Sequence, residues 1–314
     1  MDLEMPDENL AEPVTGGKVL VLGCGYVGSV IAQQWRESGT IVTATTTSAE
    51  RVAQLEAIAH RVRVLDATEP EKLREALEGQ DTVLMAIGAK GSKDYRHAYL
   101  DCAKSLVAAI PDFPSVKQVI YTSSYSAYGD YGGDWVTEDT PLNPATPNGK
   151  ILAEAEQTIL SLNGGSFNES SFNESSFNGD SFNGSNGQPS RAIACVLRLG
   201  GICGPGREVT KILSRAAGMT RPGDGSGWAH WTHRDDVVGA IAWVRQQRLS
   251  GIFNVVQTEP ILQKDLLEKA LAKANLPGVT WDPNAPSSKS YNVRVSNRRL
   301  RDSGYRMKYS TVPI

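Results

Sequence analysis

Residues 18–28 read KVLVLGCGYVG, and this stretch decides the fold of the 314-residue chain. Its first five residues form a short apolar run of the kind expected for a strand buried on both faces. The run leads directly into a GxGxxG motif at residues 23–28, and the pattern from Ser29 to Ser38 is helical. A strand, a glycine-rich turn and a helix in this order predict a dinucleotide-binding βαβ unit.

The glycines of this motif have separate physical tasks. Gly23 permits the tight turn, Gly25 lets the backbone approach a pyrophosphate, and Gly28 lets the helix pack close to the strand. The first amides and the dipole of the helix then hold the phosphate charge. The alternative is a glycine-rich turn without a ligand. We predict that the whole motif binds a cofactor: Gly23, Cys24, Gly25, Tyr26, Val27 and Gly28.

Strand and helix patterns alternate regularly after the motif. Further strand patterns lie at 41–47, 62–65, 82–87 and 116–121, and helical patterns lie between them at 49–59, 70–78 and 95–109. Repeated β-α-β units of this kind predict a parallel sheet with helices on both faces. The expected fold class is α/β, a Rossmann doubly wound parallel sheet with a smaller C-terminal α/β lobe.

The domain organisation follows from changes in this pattern. Residues 1–16 are interpreted as a disordered leader and 17–198 as the dinucleotide-binding domain, in which 129–149 is a long loop, 151–162 a helix and 192–198 a strand. Residues 163–190 contain the pentads SFNES, SFNES, SFNGD and SFNGS. They are interpreted as a low-complexity insertion, with a binding role for the repeated Phe as the alternative. Residues 199–314 form the lobe, interleaved with the sheet through a helix at 235–247 and a strand at 252–256.

Composition excludes several classes of protein. Lys and Arg number 32 and Asp and Glu 35, a net charge of −3 that argues against binding to nucleic acid. No apolar run approaches the roughly 18 residues of a membrane helix, and no signal peptide is recognisable. The four cysteines lie far apart, which indicates a reducing compartment, no disulfide framework and no metal site. We expect a cytoplasmic protein.

The second strand bears on the choice of cofactor. An NAD site usually has an acid at the end of this strand, where it binds the ribose diol. Here no acid occurs before Glu50, whereas hydroxyl groups and a permanent positive charge are close by. We therefore predict that the cofactor is NADP, with NAD as second choice. The alternative interpretation is that these polar residues are ordinary threonines of a strand and the cap of a helix. The predicted binding residues are Thr46, Thr47, Ser48 and Arg51.

Asp66 and Ala67 follow the third strand. Asp66 is placed to accept a hydrogen bond from the adenine amine. The alternative is that Asp66 only forms a turn or caps a helix. Further motifs follow in order along the chain: Tyr121-Thr122-Ser123-Ser124 with Tyr128-Gly129, Leu197-Arg198 with Gly204-Pro205-Gly206, and His233-Arg234-Asp235-Asp236. With the glycine motif, they make residues 17–310, apart from the insertion, resemble the extended short-chain dehydrogenase/reductase superfamily, the NAD-dependent epimerase/dehydratase group.

The resemblance implies roles for several residues. Ser124 matches the catalytic serine, which would bind a substrate carbonyl or hydroxyl. Gly200 and Gly201 match the loop beside the nicotinamide, and the segment that begins at His233 ties the small lobe to the sheet. The cofactor would also contact Ser123. The segment Ala86, Ile87 and Gly88 would pass under the cofactor. The substrate candidates are Gly201, His233 and two arginines that could hold an anion or form surface ion pairs, Arg207 and Arg234.

The chain departs from the family at the general acid/base. The family has a Tyr four residues before a Lys, in Pro-Tyr-Gly-x-x-Lys, where this chain has Pro147-Asn148-Gly149-Lys150-Ile151-Leu152. Asn148 stands at the Tyr position and Leu152 at the Lys position. A shift of two residues would supply Lys150 but would put Thr146 in place of the tyrosine. The chain is in this respect similar to atypical members, the YeeZ-type bacterial proteins.

Another residue would have to supply the proton. Tyr128 is our candidate, with packing in the core as the alternative. The other tyrosines and histidines near the same sheet edge are Tyr95, His97, Tyr99, Tyr125, Tyr131, His230 and His233.

The expected function is an NADP-binding reductase or epimerase-like oxidoreductase that lacks the usual Tyr-Lys pair and acts on a small molecule. A non-catalytic NADP(H) sensor and an RNA-binding relative of the fold are the alternatives. We expect no nucleic-acid and no membrane partner, and a homodimer is a possible assembly.

Overall fold

The computed structural model of the protein describes residues 16–89, 91, 94–164, 192–285 and 291–314. Most of the predicted leader and most of the pentad insertion lie outside the described residues. The strands within the described ranges are β1 Lys18–Leu22, β2 Ile41–Thr46, β3 Arg61–Val64, β4 Thr82–Met85, β5 Gln118–Ser124, β6 Trp135–Val136, β7 Ile193–Leu199, β8 Gly201–Cys203, β9 Thr220–Pro222, β10 Trp228–Ala229, β11 Trp231–His233, β12 Gly251–Val255, β13 Ile261–Leu262, β14 Thr280–Asp282 and β15 Arg294–Val295.

The helices are shorter than the helical patterns in two places. The α-helices are α1 Gly28–Glu37, α2 Val52–Glu56, α3 Pro70–Leu77, α4 Cys102–Ala109, α5 Pro147–Leu160, α6 Val209–Leu213, α7 Arg234–Gln246, α8 Gln263–Lys273 and α9 Arg298–Asp302. The pattern at 49–59 is a 3-10 turn followed by α2, and the pattern at 95–109 includes a π-helical turn at His97–Asp101 before α4. None of the described helices has both the length and the apolarity needed to cross a membrane.

The central sheet confirms the predicted fold class. Seven parallel strands lie in the order β3-β2-β1-β4-β5-β7-β12. The chain starts in the middle of the sheet, extends to one edge and returns to the other, which is the doubly wound topology. The carboxyl ends of β1 and β4, at which the order reverses, therefore form a crevice.

Apolar clusters cover both faces of the sheet because successive side chains of a strand point to opposite sides. Val19 and Val21 of β1 pack with α1 and α7, whereas Leu20 and Leu22 pack with α3, α4 and α5. All four cysteine thiols are free and buried. In the described part of the chain, no three His, Cys, Asp or Glu side chains are grouped as metal ligands would be.

The last third of the chain contributes to both the sheet and the lobe. Helix α7 and strand β12 belong to the layers of the central sheet. The lobe is built from small two-stranded pairs, β8 with β11, β9 with β14 and β10 with β13, together with α6 and α8. These pairs lie beyond the carboxyl end of β7, and they can therefore close a cavity over that edge of the sheet.

Helix α5 begins at Pro147, four residues before the predicted start at 151, and this corrects the predicted loop 129–149. Thr146 Oγ1 accepts a hydrogen bond from the Gly149 amide at 3.0 Å, which caps the first turn. Pro147 stands at the first helical position, where its missing N–H has no intrahelical partner to lose. The Gly and Pro content that indicated a loop thus marks a helix start.

The two ends of the insertion are joined by a side-chain clamp. The Asn163 amide Nδ2 donates to the Ala194 carbonyl at 3.0 Å, and its Oδ1 accepts from the Ala194 amide at 2.7 Å. The side chain of Asn163 therefore pairs with the start of β7 as a neighbouring strand would.

A buried ion pair joins α5 to the sheet. The Arg198 guanidinium on β7 donates to Glu156 Oε2 at 2.7 and 3.0 Å, and both side chains are at most 2% exposed. Ser123 Oγ donates to the other carboxylate oxygen at 2.5 Å. Burial by itself would lower the pKa of Arg198, but the Glu156 carboxylate beside it outweighs burial and raises the pKa above its ordinary value. The pair thus holds β5, β7 and α5 together.

Glu156→Gln should lower the free energy of unfolding by about 3–5 kcal/mol, because it leaves the buried Arg198 charge without its partner. Glu154→Gln is the matched control, since Glu154 lies on the same helix and contacts Lys104 at 2.7 Å with both side chains partly exposed. The control should cost less than about 1 kcal/mol. Urea denaturation of both variants measures the difference, and equal losses would contradict the assignment.

Candidate functional site

The glycine loop after β1 is shaped by two contacts that leave no space for a side chain. Gly23 has a φ of +92°, and a Cβ there would lie 2.8 Å from the Ala86 carbonyl oxygen. A Cβ on Gly28 would lie 2.2 Å from the Gly23 carbonyl oxygen. A Cβ on Gly25, by contrast, would meet nothing within 4 Å. The loop is therefore tightly packed on its inner side and open at Gly25, as a cradle for a pyrophosphate would be.

Strand β2 holds this loop in place. Thr45 Oγ1 accepts from the Gly23 amide and donates to the Val21 carbonyl, both at 3.1 Å, and the Cys24 amide donates to the Thr45 carbonyl at 3.2 Å. Burial raises the pKa of the Cys24 thiol to about 11. The Cys24 thiol is thus neutral and buried, and it serves in the packing of the loop.

The end of β2 brings polar groups to the same loop. Nη2 of Arg51 donates to the Cys24 carbonyl at 2.8 Å, which places its guanidinium beside the glycine loop. Thr46 Oγ1 accepts from the Ser48 amide at 3.1 Å, and Thr47 is exposed. Arg51 and the hydroxyls of these residues are therefore gathered at one end of the crevice.

Asp66 closes the turn before α3. One carboxylate oxygen accepts from the amide and the hydroxyl of Thr68 at 2.9 and 2.7 Å, and the other lies 2.8 Å from His97 Nε2. Burial raises the pKa of Asp66, but the hydrogen bonds from His97 and Thr68 outweigh it and hold the pKa below its ordinary value. The ionised carboxylate has about four acceptor positions, so one remains for a ligand amine. Its neighbour Ala67 is buried.

The residues after β4 form the opposite side of the crevice. The Ala86 amide donates to the Leu22 carbonyl at 2.8 Å, and the positions that a Gly23 side chain would need are taken by Ala86 and Ile87. A Cβ on Gly88 would meet nothing within 4 Å. The predicted cofactor residues of the first, second and fourth strands thus meet at one edge of the sheet.

A cavity of about 310 Å³ lies at the carboxyl ends of β5 and β7. Ser124 lines it, and its Oγ accepts from the amide and the hydroxyl of Ser126 at 3.3 and 3.0 Å, which leaves its own proton for a ligand. The remaining lining residues directly follow β5 and β7 or belong to the lobe, and they include two tyrosines: Tyr125, Gly200, Gly201, Leu213, Arg221, Ala229, His230, Trp231, Gln263, Leu266, Leu267 and Tyr291.

Tyr125 and Tyr291 form a hydroxyl pair on the cavity wall. Their ring centroids lie 5.5 Å apart in an edge-on arrangement, and their hydroxyls are hydrogen-bonded. The Tyr125 ring also contacts His230 at 5.2 Å, and His230 Nε2 lies 2.9 Å from the Val293 carbonyl. Burial raises the pKa of both tyrosines, so both are protonated at neutral pH. Tyr291 was not predicted from the sequence, because no local pattern relates it to Ser124.

Two predicted residues face the core and not the cavity. Tyr128 is fully buried, its hydroxyl donates to Asn254 Oδ1 at 2.9 Å, and the Arg198 Cζ lies 4.5 Å from its ring centroid. Burial raises its pKa to about 12. Ser123 donates its proton to Glu156. The structure therefore places Tyr128 in the packing role that was the alternative, and the Ser123 side chain away from a ligand.

Helix α5 does not provide a Tyr-Lys pair. Asn148 and Lys150 are exposed on its first turn, and neither lines the cavity. Leu152 is 1% exposed and packs in the interior, and Thr146 is used as the helix cap.

The other predicted substrate residues lie beside the glycine loop. The Cζ atoms of Arg207 and Arg234 lie 5.1 and 5.2 Å from the Tyr26 ring centroid, and the Tyr26 hydroxyl donates to the Pro205 carbonyl at 3.0 Å. His233 Nδ1 accepts from the Asp235 amide at 3.2 Å and so caps α7. These residues tie the lobe to the loop, whereas Gly201 is the member of the predicted substrate set that lines the cavity.

Comparison with known proteins agrees with this geometry. The model of the family described as NAD dependent epimerase/dehydratase matches residues 19–255. The Escherichia coli (strain K12) protein YeeZ is 29% identical over 244 residues, which cover 76% of this chain and 77% of YeeZ.

Solved structures share the fold at lower identity. MoeE5 in complex with UDP-glucose and NAD has a TM-score of 0.72 at 21% identity, with 93% of this chain and 94% of that chain covered. The Thermus thermophilus UDP-glucose 4-epimerase complex with NAD has a TM-score of 0.70 at 21% identity and the same coverage. The family match covers β1 to β12 and therefore the whole sheet that builds the site. The chain belongs to the NAD dependent epimerase/dehydratase family.

Proposed function

We propose that the protein is an NADP-binding oxidoreductase, a reductase or an epimerase-like enzyme, that acts on a small molecule in the cytoplasm. The observation that carries this proposal is the common location of two features. The open cradle at Gly25 and the cavity lined by Ser124 both lie at the carboxyl edge of the sheet. A dinucleotide held by its pyrophosphate at the first could direct its nicotinamide toward the second.

The preference for NADP is supported by the charges at the end of β2. Arg51 lies against the Cys24 carbonyl, and Thr46, Thr47 and Ser48 provide hydroxyls. No carboxylate occurs there before Glu50, so a 2′-phosphate would meet attraction and little repulsion. The solved neighbours named above carry NAD, which makes NAD the second choice.

The chemistry is supported by the hydroxyls of the cavity. When bound, the nicotinamide supplies or accepts a hydride at a substrate carbon. Ser124 Oγ would donate a hydrogen bond to the substrate oxygen. In the reductive direction the Tyr291 hydroxyl would transfer its proton to that oxygen, and Tyr125, hydrogen-bonded to Tyr291, would support the phenolate that forms. This pair would replace the tyrosine of the family, whose position is occupied by Asn148 in this chain.

One observation favours a second candidate function. Because α5 brings neither a tyrosine nor a lysine to the cavity, the chain could bind NADP(H) without turning it over and act as a sensor. Oxidation of NADPH in the presence of a carbonyl panel separates the two, since a sensor binds the cofactor and consumes none.

Gly25→Val should weaken NADPH binding by more than about 100-fold, because its methyl groups fill the cradle and displace phosphate–amide hydrogen bonds. Gly278→Val is the matched control, since a Cβ at Gly278 also meets nothing within 4 Å and that glycine lies far along the chain in the loop before β14. Titration calorimetry gives both dissociation constants. Unchanged binding in Gly25→Val, or no binding by the unmodified protein, would contradict the nucleotide site.

Arg51→Ala should weaken NADPH binding by about 10- to 100-fold through the loss of charged hydrogen bonds to the 2′-phosphate, and should leave NADH binding within about twofold. Arg36→Ala is the control, because Arg36 Nη1 also donates to a backbone carbonyl, that of Glu56 at 2.9 Å. An equal loss for NADPH and NADH would indicate that Arg51 only supports the loop.

Tyr291→Phe should reduce kcat for carbonyl reduction by about 100- to 10,000-fold with NADPH affinity unchanged, because it removes the proposed proton donor. Tyr131→Phe is the control, since the Tyr131 hydroxyl donates to the Pro141 carbonyl outside the cavity. Burial raises the pKa of Tyr291 above its ordinary value of 10.0, and a donor must be protonated, so kcat/KM should show no alkaline limb below about pH 10. If kcat/KM instead falls near neutral pH, and still does so in Tyr291→Phe, the proton donor is another group.

A further inference from the structure

Arg221 brings a permanent positive charge to the wall of the Ser124 cavity. Its Nε is buried and has no hydrogen-bond partner among the residues that the structure describes. The salt bridges of the described residues do not include Arg221 either. Buried polar groups are almost always hydrogen-bonded, so an unpaired guanidinium nitrogen at a cavity calls for a partner.

The described lining of the cavity brings no carboxylate to Arg221. Among the described residues that line the cavity, none is acidic. Much of the wall is apolar and comes from two strands and two helices of the lobe: Leu213, Ala229, Trp231, Leu266 and Leu267. Apolar walls lower the local dielectric and strengthen the attraction between the guanidinium and an incoming anion.

The backbone around Arg221 is held on two sides. Strand β9 pairs with β14, with Arg221 opposite Trp281 in the register. Immediately after β9, the Gly223 amide donates to the Asp282 carbonyl at 2.8 Å. Backbone pairing fixes the position from which the Arg221 side chain extends before a ligand arrives, so less backbone entropy is lost on binding.

We propose that Arg221 binds an oxyanion of the substrate, a carboxylate or a phosphate. The substrate would then carry this group at one end and the reacting carbonyl or hydroxyl, bound by Ser124, at the other; this second part rests on the proposed function. The cavity of about 310 Å³ lies at the lower end of the range for ligand pockets, roughly 300–1,000 Å³, and therefore suits a small compound. Arg207 and Arg234, which the sequence analysis named as candidates to hold an anion or form surface ion pairs, lie over the Tyr26 ring and do not line this cavity.

The test uses the full chain without cofactor and three aromatic probes of similar size: benzoate, phenyl phosphate and the neutral benzamide. Ligand-observed NMR titrations give their dissociation constants. Benzoate or phenyl phosphate should bind at least about tenfold more tightly than benzamide, because charge-assisted hydrogen bonds to a guanidinium are stronger than neutral ones. Which of the two anions binds more tightly distinguishes a carboxylate from a phosphate subsite.

Three variants assign the preference to Arg221. Arg221→Gln should abolish it, and Arg221→Lys should retain part of it, because Lys keeps the charge but loses the planar fork. Arg215→Gln is the control: it removes the same charge from an exposed position in the same lobe and should leave the preference unchanged. Thermal unfolding checks that each variant is folded. If Arg221→Gln does not fold, the anion preference of Arg221→Lys is compared with that of the unmodified protein.

Equal binding of benzoate, phenyl phosphate and benzamide by the unmodified protein would overturn the proposal. A preference that survives in Arg221→Gln, or that is lost equally in Arg215→Gln, would overturn it as well. Because these titrations contain no nucleotide, their result is independent of NADPH binding. Failure of the NADPH titrations with a positive anion result would reject the proposed oxidoreductase and keep Arg221 as an anion site.

Discussion

The contact between Gly28 and the Gly23 carbonyl is the constraint on which the site depends. With 2.2 Å between that oxygen and the position of a Cβ, α1 can begin only where a glycine allows it. This contact fixes where the helix starts relative to the end of β1, and the side of the loop at Gly25 stays open. Since β1 lies in the middle of the sheet, the same contact sets the position of the crevice between the two halves.

Side chains alternate along β5, so two neighbouring serines point to different sides of the strand and make different contacts. Ser123 faces the interior and donates to the Glu156–Arg198 pair, whereas Ser124 faces the cavity. The buried Glu156–Arg198 pair lies close to the cavity, because β5 carries both serines. A change in the pair would therefore disturb the position of Ser124 as well as the stability of the sheet.

Local sequence was sufficient for the strands of the sheet and for the glycine loop, because each is encoded by residues close together in the chain. The assignment of Ser124 came from the resemblance to a family and not from local pattern. The start of α5 was missed because Pro and Gly occur in loops and also in first helical turns. Tyr291 and Arg221 could not be predicted, since they reach Ser124 only through the packing of the lobe. Tyr128 illustrates the opposite case: its sequence position suggested the site, and the orientation of a 3-10 turn placed it in the core.

The Asn163 clamp has a consequence for how this protein can vary in length. Because one side-chain amide holds the end of the α5 segment to the start of β7, the spacing of the two ends does not depend on how many pentads separate them. A repeat unit gained or lost would leave this contact unchanged, because neither Asn163 nor Ala194 belongs to a pentad. Tandem repeats can therefore expand or contract at this position while the register between α5 and β7 is kept.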